Sequence, residues 1–310
     1  MGITFRVHWL TLTIWADKFH ALKMWGKWFE SYLGPLEPIR HGGRGFKSLH
    51  KAFLETKLYS DPIGQPEDPY SSLEFPGSAC DALPDATIQE FLSAVRQTET
   101  THVTRVDLAW DGASFTPELV KEAVQAKQIR SYLRRKNWEY SISPEAIRED
   151  GQIGTSSLRL GSNHSERLLR VYDKHGPVRV ELQTRNERAD LVTWDVLVRP
   201  VEEWFTKALG HLRDYIDFID LDSQRLLPWW ESFVTNTQRS GKTITDAREI
   251  ELSRKIAWFD QQVSPTFSLL VDVLGKQVIE AFAVSGRRKR GNKYNALLST
   301  YEQHGRGNEH

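Results

Sequence analysis

With 41 Lys and Arg side chains against 41 Asp and Glu, the 310-residue chain carries a formal net charge of zero. The overall charge therefore does not steer the chain to nucleic acid, and any basic surface that binds nucleic acid must be a local patch. The one cysteine, Cys80, excludes an intramolecular disulfide, fits a reducing compartment and predicts a cytoplasmic location. No apolar run approaches the roughly 20 residues of a membrane-spanning helix, so no membrane partner is expected.

The first 160 residues alternate between strand and helix patterns. In the first strand, period-two spacing predicts that Ile3, Phe5, Val7 and Trp9 share a face, and the lone His8 is interpreted as structural. The predicted strands are residues 3–15, 46–59, 70–76, 102–112 and 153–161, and the predicted helices are residues 17–33, 85–97 and 116–128.

A β-hairpin is predicted over residues 167–185, with a Gly-Pro break between two alternating runs. One face of this hairpin is apolar. The other face carries Arg170, Tyr172, Lys174, Arg179, Glu181, Gln183 and Arg185. Such a face is typical of a solvated sheet with cross-strand ion pairs. A tyrosine flanked by Arg and Lys and opposed by Glu also suits the holding of a phosphate against a nucleophile.

After residue 186 the pattern becomes helical. Helices are predicted over residues 187–208, with a kink or restart at Pro200, and then over residues 209–218, 245–261 and 265–284, while residues 226–234 are interpreted as an aromatic packing segment. The predicted fold class is therefore α+β: a mixed, mostly antiparallel sheet with flanking helices, followed by a helical C-terminal region.

Polar residues recur on the strands that precede the hairpin. They are Glu74, Arg105, Asp107, Asp111 and Arg159. If these strands share a sheet, one face gathers carboxylates that suit Mg²⁺ or Mn²⁺ and cations that neutralise a phosphodiester. A tyrosine of ordinary pKa, about 10, is a poor nucleophile at neutral pH, and nearby cations or a metal ion would favour its phenolate.

Four segments, in this order and spacing, carry a family resemblance: TRVDLAWDG at 104–112, GS at 161–162, RVYDK at 170–174 and RVELQTRNERA at 179–189. Together with YSSLEFPGSACDAL at 70–83, they resemble the replication initiation factor family, the Rep-trans relaxases of rolling-circle plasmids, filamentous phages and some conjugative elements. The resemblance implies a sheet of the general HUH-nuclease kind, although the sequence lacks a His-hydrophobic-His pair. It covers roughly residues 1–215, the predicted catalytic domain. Residues 216–310 are predicted to be a helical region with a basic tail for duplex recognition.

The resemblance also implies an activity: metal-dependent, origin-specific nicking of one DNA strand and strand transfer through a 5′-phosphotyrosine. Tyr172 would be the nucleophile. Asp107 and Glu181 would bind Mg²⁺ or Mn²⁺, with Glu74 as a third ligand. Arg170, Lys174 and Arg179 would bind phosphate or orient the site. The expected DNA contacts are Arg105, Arg159, Arg185, Arg287, Arg288, Lys289 and Arg290. One departure stands out, because Arg159 occupies a position where many members have a tyrosine.

Two rival interpretations stay open. A non-catalytic origin binder or repressor would bind duplex DNA without metal or Tyr172. A tyrosine recombinase is suggested by the string His102-Val103-Thr104-Arg105, but that string lies on a predicted strand rather than a helix. The expected partners are double-strand origin DNA, single-stranded DNA, a second copy of the chain in a homodimer and a host helicase.

Overall fold

A computed structural model of the chain describes residues 2–64, 69–98, 101–131, 137–147, 153–162, 164–173, 177–234, 259 and 263–290. The chain divides into two compact units, residues 1–241 and 242–310. This division falls later than the expected boundary at residue 215, so the segment immediately after 215 belongs with the first unit. The functional roles expected for the two regions remain predictions.

A ten-stranded sheet forms the centre of the first unit, in the order β2-β3-β4-β5-β1-β6-β11-β10-β9-β8. Its strands are β1 Thr4–Ile14, β2 Glu37–Ile39, β3 Phe46–Lys51, β4 Lys57–Pro62, β5 Ser71–Phe75, β6 Thr101–Ala113, β8 Trp138–Ile147, β9 Ile153–Leu160, β10 Arg167–Asp173 and β11 Val178–Arg185. A small second sheet pairs β7 Ile129–Ser131 with β12 Ile216–Phe218. All the described strand pairs are antiparallel, which confirms the predicted α+β class with a large antiparallel sheet.

Helices flank the sheet and close its apolar face. In the first unit they are α1 Lys18–Trp28, α2 Glu30–Leu33, α3 Gly77–Ala82, α4 Asp85–Thr98, α5 Pro117–Gln125, α6 Glu187–Val196, α7 Val201–Tyr215 and α8 Pro228–Val234. The second unit contains α9 Ser264–Leu274 and α10 Gln277–Arg288. Within the described residues, no helix is long and apolar enough to cross a membrane.

Local sequence signals explain the helix boundaries. Asp17 accepts a hydrogen bond from the His20 amide at 2.7 Å and is the predicted N-cap of α1. The expected helix over 187–208 is two helices, because Pro200 lacks an amide hydrogen and serves as the N-cap of α7. The helix predicted over 245–261 lies almost entirely outside the described residues.

The apolar faces of the strands and helices bury one aromatic-rich core. Trp25, Phe29 and Phe75 pack together beside α1, and Trp110 on β6 packs edge-on against Phe233 of α8. All five side chains are at most 2% exposed. This core fixes which face of each strand is left to carry polar residues.

The predicted strand over 46–59 is wrong as one element. Residues 46–51 and 57–62 are separate strands, joined by a 3₁₀ turn at Phe53–Glu55. The short strands β7 and β12 were not expected either, and neither was β8. Strand β8 is an edge strand that contains Pro144, and a proline is tolerated there because an edge needs fewer amide donors.

A β-bulge in β1 overturns the expected facing of Trp9. Val7 pairs with Leu108, but Trp9 pairs with Asp107, so His8 is an extra residue between them. The alternation therefore shifts by one. Trp9 leaves the face of Phe5 and Val7 and joins the polar face that bears Asp107.

Gly161, at the end of β9, provides a test of the fold. Its φ is +114°, and an added Cβ would lie 2.8 Å from Tyr215 Oη and 3.0 Å from the Arg167 carbonyl oxygen. We expect Gly161→Ala to lower the free energy of unfolding by about 1–3 kcal/mol, because the strained backbone and the clash add to each other. Denaturant unfolding monitored by circular dichroism measures this. Gly26→Ala in α1, whose added Cβ would meet only the Glu30 side chain, should be neutral or stabilising. Equal losses of stability in both variants would contradict a strained, closely packed backbone at Gly161.

Candidate active site

The polar residues predicted from separate strands lie on one face of the large sheet. Residues directly opposite each other in an antiparallel pair project to the same side. Across β6, β11, β10 and β9, one such row is Asp111, Arg179, Tyr172 and Ser157, and the next is Ala109, Glu181, Arg170 and Arg159. The structure therefore brings the hairpin and the Asp107 strand side by side, as the sequence suggested.

Tyr172 stands at the centre of this face. Its hydroxyl donates to Glu181 Oε2 at 2.9 Å. Burial, together with the charge of Glu181, raises the pKa of Tyr172, and the Arg179 guanidinium only partly opposes this rise. The resting site therefore keeps the phenol protonated and pointed at a carboxylate that can accept its proton.

Glu181 is fully buried and is the hub of the cluster. Arg170 Nη2 lies 2.6 Å from its Oε1, and His8 Nδ1 lies 3.0 Å from its Oε2. Burial pushes the pKa of Glu181 upward, but the His8 hydrogen bond and the Arg170 charge outweigh burial and hold that pKa below its ordinary value. Glu181 is thus a carboxylate at neutral pH, although water does not reach it.

Asp107, also buried, sits beside Glu181. Arg105 binds it with two nearly parallel hydrogen bonds, Nε to Oδ1 at 3.0 Å and Nη2 to Oδ2 at 2.6 Å. Arg170 Nη2 lies 3.4 Å from Asp107 Oδ2 while also contacting Glu181. One guanidinium therefore links the two carboxylates that the sequence proposed as metal ligands.

Arg179 makes the most enclosed ion pair of the site. Its side chain is 1% exposed, and it donates from Nε and Nη2 to the two oxygens of Asp111 at 2.6 and 2.7 Å. Arg6 Nε lies 3.1 Å from the same carboxylate. This fork fixes the guanidinium plane of Arg179 next to Tyr172, which is its partner across the strands.

His8 is a site residue that the sequence reasoning missed. A lone histidine on an alternating strand gives no signal by itself, and its contact with Glu181 depends on the order of β1, β6 and β11 in the sheet. Gly77 at the start of α3 packs against its ring, since an added Cβ there would lie 2.5 Å from His8 Nε2. Because Gly77 has no side chain, α3 can approach His8 closely.

Other predicted residues lie farther from Tyr172. Glu74 is on β5, two strands from Asp107, and it pairs with Arg44 and with Lys57 Nζ at 3.0 Å. The structure therefore does not bring Glu74 to the Asp107–Glu181 pair. Arg159 pairs with Glu139 on the neighbouring edge strand.

The remaining predicted DNA contacts divide between the two units. Arg185 lies opposite Arg105 in the sheet. The basic run of residues 287–290 is exposed at the end of α10 in the second unit. Lys174 lies outside the described residues.

Comparison with known proteins gives the class of this fold and site. The family model described as replication initiation factor matches residues 101–282. This match spans more than half of the chain, and the chain belongs to the replication initiation factor family. It includes β6, the hairpin of β10 and β11, and hence Asp107, Tyr172 and Glu181.

Among solved structures, the fold is similar to a rolling circle replication initiator protein from Geobacillus stearothermophilus, with a TM-score of 0.59 and 20% sequence identity. The alignment covers 78% of this chain and 100% of that chain. At this identity the likeness establishes the shared fold. A search of curated proteins found no match.

Proposed function

We propose that this protein initiates rolling-circle replication by nicking one DNA strand at an origin with Tyr172. The observation that carries the proposal is the placement of the Tyr172 hydroxyl, 2.9 Å from a buried carboxylate, in the cross-strand row of Arg179 and next to the row of Arg170. A nucleophile, a proton acceptor and two cations on one rigid sheet are the parts that phosphoryl transfer requires. The family assignment supports the same role in replication initiation.

The proposed step is a displacement at the phosphorus of one phosphodiester. Tyr172 Oη attacks the scissile phosphorus and passes its proton to Glu181, and the P–O3′ bond breaks. The 3′ oxygen takes a proton from solvent and leaves as a 3′-OH, and Glu181 later returns the tyrosine proton to solvent, so there is no net gain or loss of protons. The 5′ end remains on the tyrosine as a phosphodiester. Attack by the freed 3′-OH reverses the step, so the bond energy is kept for strand transfer.

Each neighbour of Tyr172 has a task in this scheme. Arg170, whose side chain is partly exposed, would neutralise the phosphate oxygens as negative charge develops on them. The buried Arg179 would stabilise negative charge on the Tyr172 oxygen. His8 orients Glu181 through the 3.0 Å contact and is a positioning residue rather than a reacting one. Asp111 keeps Arg179 in a single orientation, so its donors need little rearrangement during the reaction.

The residues fit a divalent metal ion in part. Glu181 Oε1 is a buried hard oxygen donor, but Arg170 Nη2 lies 2.6 Å from it and occupies the position that a metal ion would take. Asp107 supplies a second carboxylate beside it. No group of three or more His, Cys, Asp or Glu side chains is arranged around a metal position in the described part of the chain. Asp107 and Glu181 would hold Mg²⁺ or Mn²⁺ once Arg170 moved from between them. A bound ion would supply charge neutralisation at the scissile phosphate.

We expect Glu181→Gln to slow nicking by roughly 10²- to 10⁴-fold, because the amide cannot take the Tyr172 proton and is a weaker metal ligand. A gel assay of a labelled single strand measures the rate, and EDTA should abolish nicking by the wild type. Glu74→Gln is the matched control, since Glu74 is equally buried but pairs with Arg44 and Lys57. A similar loss of nicking rate in Glu74→Gln would support Glu74 as a third metal ligand.

The decisive experiment is a nicking assay on oligonucleotides drawn from the replicon that encodes the protein, resolved on denaturing gels that retain protein–DNA adducts. A metal-dependent adduct supports the proposal. Tight, salt-sensitive duplex binding without cleavage would support the alternative of a non-catalytic origin binder or repressor.

A homodimer, a host helicase partner and a cytoplasmic location also belong to the proposal. Sedimentation of the full chain with and without origin DNA tests the dimer.

A further inference from the structure

Trp9 and Arg105 form a stacked pair on the catalytic face of the sheet. The bulge at His8 turns Trp9 onto this face, and the Arg105 guanidinium carbon lies 4.1 Å from its ring centroid. Trp9 Nε1 donates to Thr11 Oγ1 at 2.9 Å, which fixes the indole plane. Both partners keep some exposure, and the Arg105 side chain is 26% accessible.

Two of the three guanidinium nitrogens of Arg105, Nε and Nη2, are already engaged. Its Nε and Nη2 bind the two oxygens of Asp107. The Gln183 amide, oriented with its oxygen toward Arg105, accepts from the same two nitrogens at 2.6 and 2.8 Å. These nitrogens are not available to grip a phosphate. The guanidinium held by these two nitrogens also offers a flat surface, stacked on the Trp9 indole.

The pair lies near the proposed nucleophile but apart from it. Contacts run from Arg105 to Asp107, from Asp107 to Arg170, from Arg170 to Glu181 and then to Tyr172. Three strand spacings and four residues along the strands place Trp9 roughly 20 Å from Tyr172 between Cα atoms. A strand whose scissile phosphate sits at Tyr172 would therefore pass Trp9 within a few nucleotides.

We propose that Trp9 and Arg105 form a stacking site for one unpaired base of the DNA strand that is cut. Aromatic rings and guanidinium planes bind the π-face of a base, and a pair held by its neighbours needs little ordering on binding. Such a site recognises single-stranded DNA rather than duplex, because a paired base exposes no face. The inference rests on the proposed function, since it assumes that a single strand crosses this face.

The test compares two labelled probes, a 20-nucleotide oligo(dT) and a 20-unit abasic deoxyribose-phosphate strand, by fluorescence anisotropy. All variants carry Tyr172→Phe and EDTA is present, so binding is measured without cleavage. We expect oligo(dT) to bind more tightly than the abasic strand by roughly 5- to 100-fold, the range for stacking one base. Trp9→Leu should remove most of this preference while abasic binding stays unchanged, and Trp9→Phe should keep part of it.

A Trp9→Leu variant that retains the full preference would overturn the stacking site, as would a parent protein without any preference. The result is separable from the proposed function, because a protein that never nicks DNA can still show the preference. If Trp9→Leu does not fold, photocrosslinking of the unaltered chain to 5-iodouracil DNA replaces it. A crosslinked peptide containing Trp9 supports the site, and crosslinks confined to other peptides refute it.

Discussion

We expect Tyr172→Phe to abolish the covalent protein–DNA adduct and to lower the nicking rate by roughly 10⁴-fold or more, the scale for removal of the proposed nucleophile. The substitution deletes one oxygen atom and its 2.9 Å hydrogen bond to Glu181, and it leaves the ring in place. We therefore expect DNA affinity to stay within a few-fold of the wild type. The measurement is a single-turnover nicking assay with adduct detection on denaturing gels.

Tyr140→Phe is the matched control for this prediction. Tyr140 also donates its hydroxyl to a glutamate, Glu118, but it pairs with Leu158 and so lies on the apolar side of the sheet. Its loss should leave nicking unchanged. Adduct formation that persists in Tyr172→Phe would move the nucleophile to another tyrosine, and loss of adduct in Tyr140→Phe alone would point to that residue.

Asp111→Ala lowers the free energy of unfolding by about 3–5 kcal/mol, because it leaves the buried Arg179 guanidinium without its counter-ion. For a chain of this size, such a loss corresponds to a fall in Tm of roughly 6–20 °C. Thermal unfolding monitored by circular dichroism measures it. The variant should also nick slowly, since Arg179 is no longer held in one orientation beside Tyr172.

Asp81→Ala tests whether burial of the ion pair causes the loss of stability expected for Asp111→Ala. Asp81 also pairs with an arginine, Arg6, at 2.9 Å, but the two side chains are 35% and 36% exposed. Exposed pairs contribute about 0–1 kcal/mol, so this variant should melt close to the wild type. The double variant Asp111→Leu with Arg179→Met should recover most of the lost stability without recovering activity. If Asp111→Ala melted like Asp81→Ala, the enclosed ion pair would have no special role.

Much of the site follows from local sequence patterns. Alternation in residues 102–112 and 167–185 predicted two strand segments with one apolar and one polar face, and the structure confirms both. The turn chemistry of Pro200 and the cap at Asp17 set helix boundaries that also needed no tertiary information. The α+β class and the presence of Asp107, Tyr172 and Glu181 on one face were therefore accessible from the sequence, because side-chain alternation is a property of the strand itself.

Other features depend on partners distant in the sequence. The bulge at His8 exists only in the pairing of β1 with β6, and it moves Trp9 to the polar face. The order of β1, β6 and β11 brings His8 to Glu181. The strand β8 was missed because an edge strand accepts polar residues and a proline. Glu74 was predicted to be a third ligand beside Asp107 and Glu181, yet the strand order separates it from both.

The sequence by itself determined which residues have the chemistry for a nicking site and which face of each strand they occupy. Tertiary structure decided which of them meet, and how deeply they are buried. Register, bulges and burial arise from pairing between distant segments, so a local pattern cannot encode them. For this reason the sequence placed Arg179 and Asp111 on polar strand faces, whereas the fold makes them a buried ion pair next to Tyr172.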